Sequence, residues 1–321
     1  MFYFFYFITI FFISLIIYRI FIPVYRKNII DIPNLRSSHK IAKPTGGGLI
    51  FALMTSLLDL FQNNYLSIIS LPLSILGFID DKKNISSILR FFSQFLTVLV
   101  LIFLTMDHSI FLKILSEKYF LVLIIPLTIF LTGIINFTNF MDGIDGLVAG
   151  SMLVIFIFFS FKNEFLFFSI IPLLFAFLFY NWHPSQIFMG DSGSNFLGSI
   201  YITMLLKSSS IFDFFILLAL ASPLFLDAAT CLIRRYLNNQ NIFKPHKLHL
   251  YQRLIQSGFS HALVSTFYIS GTLLIGIVTL SRNLNFIIFV VCLIFIIGIY
   301  LDKNVALSFH RSLISSKNKS I

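Results

Sequence analysis

The sequence predicts an all-α integral membrane protein, and three observations carry that prediction. Of 321 residues, 58% are hydrophobic and only 11% are charged, whereas soluble domains have roughly 25% charged residues. The apolar residues form about eleven runs, several shortened by tilt or glycine, that suit spanning helices. Basic residues gather on alternate connecting loops. We therefore expect one polytopic membrane domain over residues 1–321.

The apolar runs define the expected helices in order: 2–22, 46–61, 66–79, 91–106, 119–137, 147–161, 165–180, 196–206, 212–232, 262–280 and 285–301. The first run is too long and too aromatic for a signal peptide, lacks a basic start, and is expected to end at Pro23. Cys231 and Cys292 both lie in apolar segments, so we expect small core residues and neither a disulfide nor a metal pair.

The charge distribution predicts the orientation. Alternating the runs across a bilayer places the C-terminal tail and most basic loops on one face, namely 23–45, 80–90, 138–146, 181–195 and 233–261. By the positive-inside rule this face is cytoplasmic, which makes the N-terminus periplasmic and the C-terminus cytoplasmic. Basic loops beside anionic lipids account for most of the net charge of +10, so no nucleic-acid partner is needed.

The unusual polar clusters all fall on this predicted cytoplasmic face, which indicates one composite site. Asp80 and Asp81 end an apolar run, where neighbouring carboxylates share a cation, pair with a base or keep a proton. A charged helix end that marks the membrane boundary is the alternative.

A second cluster lies in NFTNFMDGIDGL, residues 136–147. Asn136, Asn139 and Asp142 recur every three residues and share one face if the helix continues, and Gly143 and Gly146 allow a tight turn. A glycine-rich break explains the glycines alone, but not two amides and two acids between apolar flanks.

In FMGDSGSNFLG, residues 188–198, Asp191 stands among small residues that suit the start of a helix. Free N–H groups there suit a phosphate and the carboxylate suits Mg²⁺, although an ordinary N-cap explains Asp191 as well. In PHKLHLYQRL, His246, His249 and Arg253 project from one side if they are helical. With no carboxylate or cysteine beside them, an anion-binding fork is favoured over a zinc site, and a solvated basic loop is the alternative.

The last cluster, RSSHKIAKPTGGG, is basic and rich in hydroxyls, and its three glycines open the second helix. Those glycines also suit helix packing alone. Together, the clusters predict carboxylates for one Mg²⁺ and cations for phosphate at the membrane surface, which is typical of phosphoryl transfer to a membrane-borne substrate.

The motifs RSSH…PTGGG, GFIDD, NFTNFMDGIDGL, FMGDSGSNFLG and PHKLHLYQRL together resemble the polyprenyl-phosphate N-acetylhexosamine-1-phosphate transferases, the MraY/WecA-like glycosyltransferase family 4. The resemblance covers nearly the whole chain in the family's order. It implies a bacterial inner-membrane enzyme of ten or eleven helices. The implied reaction moves sugar-1-phosphate from a UDP-N-acetylhexosamine to undecaprenyl phosphate, releases UMP and needs Mg²⁺, for which Mn²⁺ can substitute.

The resemblance also implies roles for individual residues. Asp191 is expected to ligate Mg²⁺, with Asp80 and Asp81 at the lipid-phosphate end; whether Asp80 acts as a base stays open, because a phosphate monoester is largely dianionic near pH 7. The remaining assignments are catalytic Asp142, His246, His249 and Arg253, of which the last three steady the diphosphate, and substrate-binding Asn139, Asp145, Phe188, Arg36, His39 and Gly47, of which Asp145 and Phe188 meet uracil.

Departures from the family's motifs reduce the range of substrates that we expect. Asn84 replaces a lysine of the muramyl-peptide branch, and an H-x-x-H-x-x-x-R pattern replaces its three histidines. The motif sequences therefore favour transferases that begin O-antigen or related surface glycans. Thr45 stands where some of those relatives carry arginine. Teichoic acid or capsule pathways and a homodimer stay open.

Two alternatives belong to other functional classes. A secondary transporter or flippase also uses buried acids and broken helices, but places them near the bilayer midplane and often builds from repeats. A protein that binds the lipid carrier without turnover is the second.

Overall fold

The computed structural model describes residues 1–33, 38, 41–105, 117–162, 167–241 and 246–312. Its described residues form twelve α-helices and one short hairpin-like sheet. The helices are α1 Phe2–Asn28, α2 Gly48–Phe61, α3 Leu66–Lys83, α4 Ser87–Thr105, α5 Glu117–Met141, α6 Leu147–Lys162, α7 Ile170–Asn181, α8 Gly190–Leu206, α9 Ile211–Leu237, α10 Leu250–Gln256, α11 His261–Thr279 and α12 Leu284–Asn304.

Six of these helices are long and apolar enough to cross a membrane, so the chain is a multi-pass membrane protein. They are Tyr3–Asn28, Ser87–Thr105, Val122–Met141, Ile211–Leu237, His261–Thr279 and Leu284–Asn304. Gly48–Phe61, Leu147–Phe161 and Ile170–Asn181 are shorter apolar helices. The all-α prediction is confirmed, whereas eleven spans and the orientation stay predictions.

Burial separates the helices that face lipid from those that form the core. Only 17% of the apolar window of α1 and 11% of that of α12 is buried, against 56% for α9. Apolar side chains exposed along α1 and α12 suit contact with lipid tails. The central helix α8 is buried almost throughout, and it packs against α2, α3 and α5.

Small residues let the backbones around α8 approach closely. A side chain at Gly48 of α2 would collide with the backbone of Gly193 in α8, and one at Gly77 of α3 would collide with the backbone of Asp191. Close packing of this kind is common between membrane helices. It brings the last turn of α3 against the first turn of α8.

Several helix boundaries differ from those predicted. α1 continues through Pro23 to Asn28, so the expected end at Pro23 is wrong. Proline removes one backbone donor, which a spanning helix tolerates, and Arg26 and Lys27 favour the negative end of the helix dipole in its last turn. α8 begins at Gly190, six residues before the predicted run, because GDSGSN is polar and apolar runs do not detect it.

The two strands are short. Ile30–Asp31 pairs antiparallel with Lys43–Pro44, with Ile30 opposite Pro44. The second strand then leads into α2, and the backbone of Phe188 donates to the carbonyl of Pro44 over 2.8 Å. This strand therefore ties the start of α2 to the segment before α8.

Candidate active site

A polar cavity of about 660 Å³ opens where the ends of α3 and α5 meet the start of α8. Eight of the sequence-predicted site residues line it: Asp80, Asp81, Asn139, Asp142, Asp145, Phe188, Asp191 and His246. They come from four separate stretches of the chain. The expected composite arrangement is therefore present in the structure.

Asp191 is held from three sides at the first turn of α8. Asn139 Nδ2, in the last turn of α5, donates to Asp191 Oδ1 over 2.9 Å and also to Ser194 Oγ. Arg90 Nη1 donates to Asp191 Oδ2 over 3.1 Å. The backbone N–H of Asp191 donates to Asp81 Oδ1 over 2.9 Å, which couples α3 to α8.

Arg90 joins the two acidic groups of the cavity. The same Nη1 atom that reaches Asp191 also donates to Asp80 Oδ2 over 2.9 Å. Asp80 is buried and Arg90 is about one third exposed. The guanidinium therefore compensates part of the negative charge on two carboxylates that the fold brings together.

The carboxylates still carry an excess of negative charge. Burial raises the pKa of Asp142 to about 8, assisted by the negative charges of Asp191 and Asp145. Burial and the charge of Asp191 raise the pKa of Asp81 well above its usual range. Burial also raises the pKa of Asp191, against the hydrogen bond from Asn139. A bound cation would relieve this cost.

The residues present fit Mg²⁺. Asp81 Oδ2 is buried and has no hydrogen-bond partner among the described residues, so one carboxylate oxygen remains available. Gly190, at φ +71°, leaves room beside it, because a side chain there would collide with the Asp81 carboxylate. Several carboxylates within one small cavity make a hard oxygen donor set of the kind Mg²⁺ prefers.

Asp145 occupies the centre of a separate polar cluster. Its side chain is 1% exposed and accepts from His183 Nδ1 over 2.8 Å and from Ser185 Oγ over 2.8 Å. Lys43 Nζ lies 3.6 Å away and His261 Nδ1 3.5 Å away. Burial acts to raise the pKa of Asp145, but these hydrogen bonds and the lysine charge lower it below its usual range.

This geometry bears on the expected contact between Asp145 and uracil. Asp145 Oδ2 accepts from His183 and from the N–H of Ser185, and Oδ1 accepts from Ser185 Oγ. The side chain is almost fully buried, so these neighbours would have to move before a base could reach it. Lys43 Nζ lies 5.1 Å from the centre of the Phe188 ring and donates to Ser185 Oγ over 2.8 Å. Asp145 is thus placed to position Lys43 and His183, with Phe188 beside them.

The expected single-sided arrangement of His246, His249 and Arg253 is wrong, because α10 begins only at Leu250. His246 lines the cavity, and burial with the charges of His249 and Arg235 lowers its pKa to about 3. The other two residues do not line the cavity.

His249 and Arg253 lie behind the cavity wall and each pairs with an acid. His249 is 3% exposed, and its Nδ1 lies 3.7 Å from Asp227 Oδ1. Arg253 is 2% exposed, and its guanidinium bonds Asp302 and the carbonyl of Leu307. The structure therefore separates the H-x-x-H-x-x-x-R motif into one cavity residue and two supporting residues.

Gly47 also lies outside the cavity lining. Its N–H donates to the carbonyl of Phe188 over 3.0 Å, and its carbonyl accepts from Tyr18 over 3.1 Å. A side chain there would press on Ile187 and Phe177. This supports the packing alternative for the glycines. Arg36 and His39 lie outside the described residues.

Sequence reasoning did not assign several residues that shape the site. Arg90 and Lys43 lie in the basic loops 80–90 and 23–45 but received no individual role from the sequence, and His183 and His261 were not singled out. Asp227 was missed as well, although an acid inside a long apolar run signals a functional or paired group. It accepts from the N–H groups of Leu250 and Tyr251 and from the Tyr268 hydroxyl.

The sequence of this chain is similar to those of several known proteins. The family model described as glycosyl transferase family 4 matches residues 64–209. The chain is 33% identical to a probable undecaprenyl-phosphate N-acetylglucosaminyl 1-phosphate transferase of Bacillus subtilis, over 82% of this chain and 79% of that protein. It is 28% identical to an undecaprenyl-phosphate alpha-N-acetylglucosaminyl 1-phosphate transferase of Thermotoga maritima, over 82% and 85%.

A shorter match has a different named substrate. The chain is 36% identical to a phospho-N-acetylmuramoyl-pentapeptide-transferase of Petrotoga mobilis, over 52% of this chain and 61% of that protein. The longest of these matches are thus to proteins named for N-acetylglucosamine.

Proposed function

Because the chain belongs to glycosyl transferase family 4, the polyprenyl-phosphate N-acetylhexosamine-1-phosphate transferases, we propose that it transfers N-acetylhexosamine-1-phosphate from a UDP-sugar to undecaprenyl phosphate and releases UMP. The product would be the first lipid-linked intermediate of a cell-surface glycan, of O-antigen type. The enzyme would lie in a bacterial inner membrane, with the cavity on the cytoplasmic side.

One observation carries this proposal: carboxylates from separate stretches of the chain meet basic side chains in the cavity at one end of the bundle. Asp80, Asp81, Asp142 and Asp191 are among the carboxylates, and Arg90 and Lys82 are among the basic side chains. Phosphoryl transfer depends mainly on positioning and charge stabilisation, so converging acids and cations suit it. A site at the end of the bundle also suits a substrate whose tail lies in lipid.

Asp191, Asp81 and Asp142 are the residues we assign to hold Mg²⁺. When bound, the ion would neutralise charge on the diphosphate and polarise the bond that breaks. Asn139 holds Asp191 Oδ1 in place, and Arg90 holds its Oδ2 while it pairs with Asp80.

We assign the two ends of the cavity to the two substrates. The segment with Asp80 and Arg90 would take the lipid phosphate, because a guanidinium holds phosphate oxygens well. The segment with Phe188, Lys43 and Asp145 would take the uridine, with an aromatic ring for stacking and fixed donors for the base.

The test is a purified-protein assay with undecaprenyl phosphate, Mg²⁺ and a panel of UDP-N-acetylhexosamines, reading UMP and lipid-linked product. Asp191→Asn should lower turnover at least a thousandfold with the protein still folded. Asp213→Asn is the matched control. Asp213 lies near the start of α9, where it pairs with Arg282 and lines a pocket separate from the active-site cavity. Turnover retained in Asp191→Asn would refute the metal assignment.

Failure with every donor would refute the reaction itself. If the protein then still bound undecaprenyl phosphate, a carrier-binding role without turnover would replace it.

A further inference from the structure

A group of soft metal ligands lies directly behind the cavity wall. Cys231 in α9 and the two histidines His246 and His249 place one ligand atom each within 4.8 Å of one another. Cys231 and His249 are buried, and His246 is half-buried at the cavity edge. The sequence analysis disfavoured zinc because no cysteine stood beside these histidines, but the fold supplies Cys231 from a different helix.

The donor set differs in kind from that of the carboxylate site. A thiolate and two imidazoles select Zn²⁺ and related ions, whereas carboxylates select Mg²⁺. Ligand atoms around tetrahedral Zn²⁺ stand roughly 3.5 Å apart at ordinary bond lengths. Side-chain rotations that shorten the present separations by about 1 Å would therefore close the group around an ion.

The surroundings of His249 supply a second, independent sign of a ligand. Its Nδ1 is buried and makes no hydrogen bond among the described residues. Zinc-bound histidines usually present one nitrogen to the metal and the other to a carboxylate. Asp227 stands in that carboxylate position, 3.7 Å from Nδ1 of His249. Asp227 is itself fixed by two backbone N–H groups and the Tyr268 hydroxyl.

We propose that Cys231, His246 and His249 form a binding site for a thiophilic divalent ion such as Zn²⁺, with Asp227 as the carboxylate that orients His249. Three protein ligands would leave a fourth position for water or another ligand. Binding releases the Cys231 thiol proton, and the proton of a protonated His249, to solvent. The ion links the segment before α10 to α9 and restrains His246 at the cavity edge.

Co²⁺ is a suitable spectroscopic probe, because a thiolate ligand gives it a charge-transfer absorption that oxygen and nitrogen ligands do not. The purified full-length protein should show this absorption at one Co²⁺ per chain, and Zn²⁺ should displace it. Cys231→Ser should abolish it. Cys292→Ser should retain it, because Cys292 is exposed on α12 and is the only other cysteine in the sequence.

Two further variants keep the result clear. His246→Ala leaves the thiol in place and should weaken Zn²⁺ binding at least tenfold, so the test does not depend on Cys231→Ser folding. Asp191→Asn should keep the Co²⁺–thiolate absorption, which separates this site from the Mg²⁺ site. Absence of the absorption in the unmodified protein, or its survival in Cys231→Ser, would overturn the proposal.

Discussion

The interaction between His249 and Asp227 predicts how much stability the protein loses when Asp227 is replaced. Burial disfavours the charged form of His249, but Asp227, whose Oδ1 lies 3.7 Å from Nδ1, raises the pKa of His249 from 6.5 to about 9. A difference of that size corresponds to about 3 kcal/mol. Removing one partner of a buried pair typically costs about 3–5 kcal/mol, which agrees. Asp227→Asn should therefore lower the unfolding temperature by roughly 6 °C or more.

The raised pKa of His249 also predicts how this stabilisation changes with pH. Because the folded pKa of His249 lies above its unfolded value, the pair stabilises the protein fully below about pH 6.5, and this stability is lost as pH rises through about 9. The penalty of Asp227→Asn should thus be larger at pH 6 than at pH 10. Thermal unfolding of the detergent-purified protein, stripped of metal with a chelator so that His249 is free to take up a proton, measures it at both pH values.

The control for this experiment is Asp213→Asn. Asp213 pairs with Arg282, which is 66% exposed, and accepts from the Ser209 hydroxyl. Its penalty should be small and equal at pH 6 and pH 10. A penalty of Asp227→Asn that is the same at both pH values would refute the reasoning, because protonated His249 would then not be the partner.

Three other changes test the cavity by UMP release. Arg90→Gln should lower turnover about tenfold, at the low end for charge-assisted hydrogen bonds because Arg90 is partly exposed. Gly190→Ala should lower turnover at least tenfold, because φ +71° disfavours a side chain and its Cβ collides with the Asp81 carboxylate. Asp145→Asn should raise KM for the UDP-sugar about tenfold with less effect on kcat, because an amide holds Lys43 weakly.

The arginine and glycine changes each have a matched comparison. Arg282→Gln removes an arginine between α11 and α12 that pairs with Asp213 at the start of α9, and Gly298→Ala adds a methyl group where no atom lies within 4 Å. Both should leave turnover within twofold. Unchanged activity in Gly190→Ala would contradict the close approach of α3 and α8. An Asp145→Asn effect confined to kcat would contradict its assignment to the uridine end.

The sequence predicts the helices well where apolar residues alone decide them. Each predicted run overlaps a helix, because long apolar segments in a membrane satisfy their backbone groups only as helices. The errors lie at polar ends. The run at 196–206 missed the first turn of α8, which carries Asp191, and the run at 91–106 missed the start of α4, which carries Arg90. Functional residues sit where hydropathy gives no signal.

The acidic residues of the site could be identified from the sequence more readily than its basic residues. Asp80, Asp81, Asp142 and Asp191 are rare charges beside apolar runs, so they stand out in the sequence and meet in one cavity. Lys43 and Arg90 do not stand out, because basic residues are common on the loops of this chain. Which cation contacts which acid depends on helix packing that spacing does not encode.

The histidine motif shows why residue spacing alone led to a wrong prediction of side-chain direction. The expectation that His246, His249 and Arg253 share one side assumed helical geometry, but α10 starts one residue after His249. In the non-helical residues just before it, His246 reaches the cavity while His249 lies beside Asp227 in α9.

Residues that hold the motif in place can matter as much for its function as residues that touch substrate. Asp227 binds the backbone at the start of α10 and pairs with His249, and Arg253 is anchored by Asp302 of α12. These buried contacts fix where the segment with His246 meets the cavity. If that is their role, Asp227→Asn should weaken substrate binding only as far as it displaces His246, and stability and KM should change together.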